Sequence, residues 1–139
     1  MYTYKYPRAA ITTDAIVFFK EGNEKFVLLI ERGNEPFKNK WALPGGFIEM
    51  DETLEDACKR ELHEETGLIV DKMTQFKTYD AVDRDPRHRT ISTVYFTEID
   101  SKLQVAGGDD ATRADWFPVS GLPELAFDHR QILEEFFHL

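Results

Sequence analysis

The chain has 139 residues, 42% hydrophobic and 31% charged, which predicts one domain with a sizeable core. Seventeen basic residues against 26 acidic ones leave a net charge of −9, which argues against a nucleic-acid partner, since phosphate backbones are bound by basic surfaces. The single cysteine, Cys58, excludes an intramolecular disulfide, and no stretch has the length of a membrane span.

Residues 1–7 carry no apolar run, so no secretory signal is expected and a cytoplasmic location is the default. Residues 10–19 are rich in Ile, Val and Phe and read as a strand. Residues 20–25, with Gly22-Asn23, read as a polar turn, and residues 26–30 as a second strand, so the pair forms a hairpin. Arg32 follows it, as a surface charge or as a group reaching a phosphate or ribose at the sheet's end. Residues 33–40 form a polar loop. In Trp41-Ala42-Leu43-Pro44-Gly45-Gly46 the two glycines let backbone approach a ligand or ion closely. Phe47 and Ile48 read as a short strand.

Residues 53–66 carry a helical pattern, stopped by Gly67. Asp51 or Thr53 can cap its start, and Glu52, Glu55 and Asp56 suit the positive end of its dipole. On a helical wheel Leu54, Ala57, Cys58 and Leu62 share the core face, while Asp56, Lys59 and His63 lie on the far side. Glu61 and Glu65 fall within the core face and Glu64 beside it. Carboxylates about 5–6 Å apart repel by about 3 kcal/mol per pair at an effective dielectric of about 20. Protonation, a basic partner or a cation relieves such repulsion. Arg60 flanks Glu64 and neutralises one charge. A hard divalent ion on oxygen ligands is the economical answer for the others, and Mg²⁺ suits a site that a phosphate completes. The alternative is an ordinary solvated acidic face.

Gly46, five residues, Glu52, seven residues, Arg60-Glu61-Leu62, His63, Glu64-Glu65, Thr66 and Gly67-Leu68 resemble the Nudix box at every fixed position. The resemblance implies a Nudix α/β/α sandwich, an α/β fold with a mixed β-sheet between helices. It also implies Mg²⁺- or Mn²⁺-dependent hydrolysis of a nucleoside diphosphate linked to another moiety. Glu61, Glu64 and Glu65 would then bind metal, with the Gly46 carbonyl. Arg60 would orient the glutamates, and Glu52 would sit nearby as a supporting acid or further ligand.

Beyond the box, residues 71–83 and 90–99 are strand candidates. Between them Asp83-Arg84-Asp85-Pro86-Arg87-His88-Arg89 places three arginines in a basic island, with Pro86 fixing a turn. It is either a solvated hairpin tip or an anion clamp, since guanidinium binds phosphate at two points. The Arg-Asp-Pro-Arg run is similar to the ADP-ribose pyrophosphatase branch of the superfamily, although Pro86 lies slightly farther past the box than that branch implies. Leu125-Ala126-Phe127-Asp128-His129 looks like the C-terminal signature of ADP-ribose-handling Nudix domains, which include enzymes and sensors.

Residues 101–115 read as a loop centred on Gly107-Gly108-Asp109-Asp110. Asp110 stands roughly where some Nudix enzymes place an acid outside the box; otherwise it is a solvated loop acid. Residues 116–119 read as a short strand. Residues 128–138 read as a final helix capped by Asp128, whose stripe of Ile132, Leu133, Phe136 and Phe137 serves the core or a dimer contact.

The leading expectation is hydrolysis of ADP-ribose to AMP and ribose 5-phosphate. Glu64 is the first choice of base and Asp110 the second; Arg32, Arg84 and Arg87 would bind phosphates. Phe37, Tyr79 and Tyr95 would stack the base, unless they are simply packing. The runner-up is a pyrophosphohydrolase of damaged nucleoside triphosphates. A third reading is a ligand sensor of the kind coupled to a DNA-binding winged helix. It is disfavoured by the acidic charge, by the complete set of box carboxylates, which sensors often lose, and by the lack of residues after the final helix. A homodimer is expected, as is common among ADP-ribose relatives.

Overall fold

The computed structural model describes residues 3–139; Met1 and Tyr2, at the start of the 1–7 stretch, lie outside the described residues. Seven strands form one sheet: β1 (Ala10–Glu21), β2 (Glu24–Arg32), β3 (Trp41–Ala42), β4 (Gly45–Phe47), β5 (Thr74–Tyr79), β6 (Thr90–Glu98) and β7 (Ala111–Pro118). Two helices complete it, α1 (Leu54–Thr66) and α2 (His129–Phe137). β1 runs parallel to β6 over nine register pairs, from Ala10↔Thr90 to Phe18↔Glu98. On its other edge β1 pairs antiparallel with β2 near the hairpin and with β4 at Thr12–Asp14. The sheet splits there, and the gap opens beside the glycines of β4.

β1 has side chains buried on both faces, as a central strand under two helices must. Ala15, Val17 and Phe19 join Cys58, Leu62 and Trp116 in the core under α1. Ile16 and Phe18 join Leu29, Val94, Ile132 and Leu133 in the core under α2. The result is the expected mixed-sheet α/β/α sandwich.

Several boundaries differ from the sequence reading. The hairpin strands run longer, to Glu21 and from Glu24, with Gly22 at φ 63 in the turn. Residues 71–83 contribute only Thr74–Tyr79. The loop ends sooner than expected, because Ala111–Asp115 pairs with β2 from Arg32 to Leu29, and this ladder satisfies a polar stretch with no strand signal of its own. Asp128 starts α2 but does not cap it: its carboxylate takes two bonds from Arg84, at 2.7 and 2.9 Å, a charged and bidentate partner that outcompetes the helix amides.

Candidate active site

A cleft of about 280 Å³ opens where β4 leaves β1. Glu61, Glu65, Gly46, Asp109 and Asp110 line one part; Arg32, Arg84, Arg87, Phe47 and Phe127 line another.

Local rules place the helix that supplies the glutamates. Thr53 caps α1, its Oγ1 accepting the Asp56 N–H at 3.1 Å, and Gly67 closes it in the left-handed region at φ 79. The buried face then carries Ala57, Cys58, Leu62 and Glu65 together. Gly46 lets the helix approach, because a Cβ there would lie 2.7 Å from the Glu61 carboxylate.

The three box glutamates have three environments. Glu65 is buried and accepts the Gly45 N–H at 2.8 Å, and burial pushes its carboxyl up to about 8. Glu61 is largely buried and also shifted upward by desolvation, against the lowering influence of Arg60. Glu64 faces outward, with its side chain 39% exposed. Arg60 binds three acids: Glu52 at 2.6 and 3.0 Å, Glu61 at 2.8 Å and Glu64 at 3.2 Å, with Phe47 O at 3.2 Å. The spacing places Arg60 against Glu64, and the structure adds Glu61 and Glu52 to its partners.

Carboxylate oxygens of Glu61, Glu64 and Asp109 lie within 4.8 Å of one another. Asp109 reaches them because Gly108 packs on the end of α1, where a Cβ would sit 2.6 Å from the Glu64 carbonyl oxygen. Ala106 N–H also binds Thr66 O at 3.1 Å. The neighbouring Asp110, the acid singled out from sequence, instead accepts from Asn34 at 3.2 Å on the cleft wall.

On the basic side, the Arg32 Nε donates to Pro36 O at 2.8 Å, and its guanidinium lies 4.9 Å from the Phe127 ring centre. Arg87 is held by buried Asp85 at 2.8 and 3.1 Å and lies near both Phe47 and Phe127. Arg84 lines the cleft, but its side chain is 4% exposed and engaged by Asp128. The aromatic candidates for base stacking are not brought to the cleft. Tyr79 packs in the core under α2 and donates to Glu135 at 2.6 Å; Tyr95 packs under α1; Phe37 sits edge-on behind Phe127.

A model of the NUDIX domain matches residues 10–136. The chain belongs to the Nudix family. It is 43% identical over 94% of its length to the ADP-ribose pyrophosphatase of Methanocaldococcus jannaschii, covering 75% of that protein. It is 32% identical over 95% of its length to the ADPR responsive transcriptional repressor NtrR of Acinetobacter baylyi, of which it spans only 54%. Among solved structures, the NUDIX domain of Shewanella oneidensis NrtR, cocrystallised with ADP ribose, superposes with a TM-score of 0.88 at 30% identity, over 96% of this chain and 89% of that one.

Asp109 and Asp14 of this Nudix site escape a reading of the sequence, and His129, quoted there only within the 125–129 signature, is given no role by it. Asp109 shares a segment with Asp110, and nothing local says which acid turns toward α1. Asp14 lies on a hydrophobic strand yet lines the cleft, accepting from Ser92 Oγ at 2.5 Å. His129 is buried against Asp14, its Nε2 at 3.6 Å from the carboxylate. An acid inside an otherwise apolar strand was the available signal for Asp14.

Proposed function

We infer that this Nudix hydrolase cleaves the diphosphate bond of a nucleoside diphosphate derivative with the help of Mg²⁺ or Mn²⁺, and that ADP-ribose is its substrate, yielding AMP and ribose 5-phosphate. One observation carries this reading: Glu61 and Asp109, which group with Glu64, line the same cleft as Arg32 and Arg87. A diphosphate bridges such a pair of regions, because the arginines meet its anionic oxygens while a cation screens it from the acids.

The donor set fits a hard divalent ion. It consists of carboxylate oxygens only, close enough to repel one another, with a fourth carboxylate, Glu65, buried beside them. Glu61, Glu64 and Asp109 would hold the ion, with Glu65 and the Gly46 carbonyl adjacent. When bound, it supplies positive charge against the diphosphate and makes nearby water more acidic. Arg60 keeps Glu61 and Glu64 oriented. Glu64, more exposed than Glu61 and Glu65, has the solvent access that a base accepting a proton from water needs; Asp110 is the second choice. Arg32 and Arg87 bind phosphate oxygens, and Phe127 lies against the Arg32 guanidinium.

The likeness to a repressor and to a domain crystallised with ADP ribose favours a second reading, a ligand sensor. The complete carboxylate set and the more similar enzyme support hydrolysis instead. Incubation with ADP-ribose or a dNTP panel, with each metal, separates the readings by product. AMP and ribose 5-phosphate, formed with a kcat/KM about 100-fold above any dNTP, is the expected result. A dNTP preference overturns the substrate, and metal-dependent ADP-ribose binding without turnover establishes the sensor. The preparation is expected as a cytoplasmic protein and a homodimer, the latter checked by light scattering.

A further inference from the structure

We propose that His129 is a positioning residue for the carboxylate site: its buried imidazole anchors the Leu43–Gly46 turn and, through that turn, the carboxylate of Glu65. His129 opens α2, on the opposite face of the sheet from α1, and touches none of the site glutamates. The Leu43 N–H donates to its Nδ1 at 3.0 Å. A backbone N–H can only donate, so Nδ1 carries the lone pair and the proton of the neutral ring sits on Nε2, facing Asp14. Asp14 in turn is fixed by Ser92 and lies opposite Gly45 in the β1–β4 pairing.

The bonds continue residue by residue along the turn. Leu43 is held by His129, Pro44 O accepts the Ala15 N–H at 2.8 Å, and the Gly45 N–H binds Glu65 Oε1 at 2.8 Å. Gly46 follows, against Glu61. Leu43 is buried, so water cannot replace a lost acceptor and its amide would be left unpaired. The turn would then shift, carrying with it the donor that orients Glu65 and the glycine that admits Glu61.

The test compares His129→Leu, which removes the acceptor, with His129→Asn, whose side-chain oxygen can stand in for Nδ1. Three measurements are made: hydrogen exchange at the Leu43 and Gly45 amides, Mn²⁺ binding without substrate, and kcat and KM for ADP-ribose. The kinetic arm rests on the function proposed above; the other two do not. His129→Leu is expected to lose about 10-fold or more of the protection at both amides, to bind Mn²⁺ about 10-fold more weakly and to lose about 10–100-fold in kcat with KM nearly unchanged. His129→Asn should recover most of each. Unchanged exchange in His129→Leu overturns the proposal, as does an asparagine variant as impaired as the leucine one, which would mean that ring packing alone matters. If His129→Leu does not fold, His129→Asn decides against the wild type: retained protection and kcat support the role, and their loss overturns it. If the wild type does not turn over ADP-ribose, the substrate assignment fails alone and the exchange and Mn²⁺ arms still decide.

Discussion

Arg60 holds Glu52, Glu61 and Glu64 in one fork of hydrogen bonds, so its removal leaves three acids without their shared cation. Arg60→Ala is expected to cost about 2 kcal/mol in urea unfolding and to depress turnover; Arg60→Lys recovers little, because a point charge cannot fork. Glu64→Gln and Glu65→Gln keep shape and, at Glu65, the acceptor for Gly45. Both should unfold near the wild-type temperature while kcat falls by about 10²–10⁴-fold, and chelation should abolish activity until Mg²⁺ or Mn²⁺ returns. The inward placement of Glu61 and Glu65 was legible from spacing along one helix; Glu64, expected beside the core face, is exposed instead, and the roles of all three came from the likeness to the Nudix box. The turn of Asp109 toward α1 was not legible, nor was the partner of His129, because each depends on a contact, with Glu64 and with Leu43, far away in sequence. The partners of Arg84 and Tyr79 were hidden for the same reason: Asp128, at the start of the last helix, and Glu135, within it, lie far off in sequence, and only Arg84 of the two lines the cleft.

Among the elements, α1 was the most readable, since its cap, its stop and its apolar face are all encoded locally. Thr53→Ala should cost about 1 kcal/mol, and Gly67→Ala a similar amount through its left-handed backbone. The segment before β7 behaves differently. Gly108→Ala puts a Cβ against the Glu64 carbonyl oxygen, so the loop must lift and take Asp109 with it. Turnover and Mn²⁺ affinity should both fall, by about 10-fold or more, while the urea midpoint moves little. β7 itself was hard to see: its first half is polar and becomes a strand only because β2 offers an open edge.

At the scale of the molecule, two cores share one sheet, and the α2 side is tied down by polar anchors. Arg84–Asp128 joins the β5–β6 loop to the start of α2, so Arg84→Ala should destabilise by about 3 kcal/mol, leaving a carboxylate with its partner gone. His129 adds a pH dependence. Burial pulls its imidazole below its ordinary 6.5, so the unfolded chain takes up a proton that the folded one refuses, and stability falls as pH drops through that value. Glu65, shifted upward, pulls the opposite way, so the measurement is a difference. Between pH 7.5 and 5.5 wild-type stability should fall more, or rise less, than that of His129→Asn.

The pairing of β1 with β6 reaches further still. The strand that feeds both cores waits for a neighbour made much later in the chain, since Ala10 meets Thr90. A nascent chain emerging from the ribosome can pair β1 with β2 and β4 and form α1, but the other edge of β1 stays open until β6 is out, so fragments ending before it should be protease-sensitive. Asp109 comes later still in the chain, so the acidic pocket is complete only once the segment beyond β6 has been made.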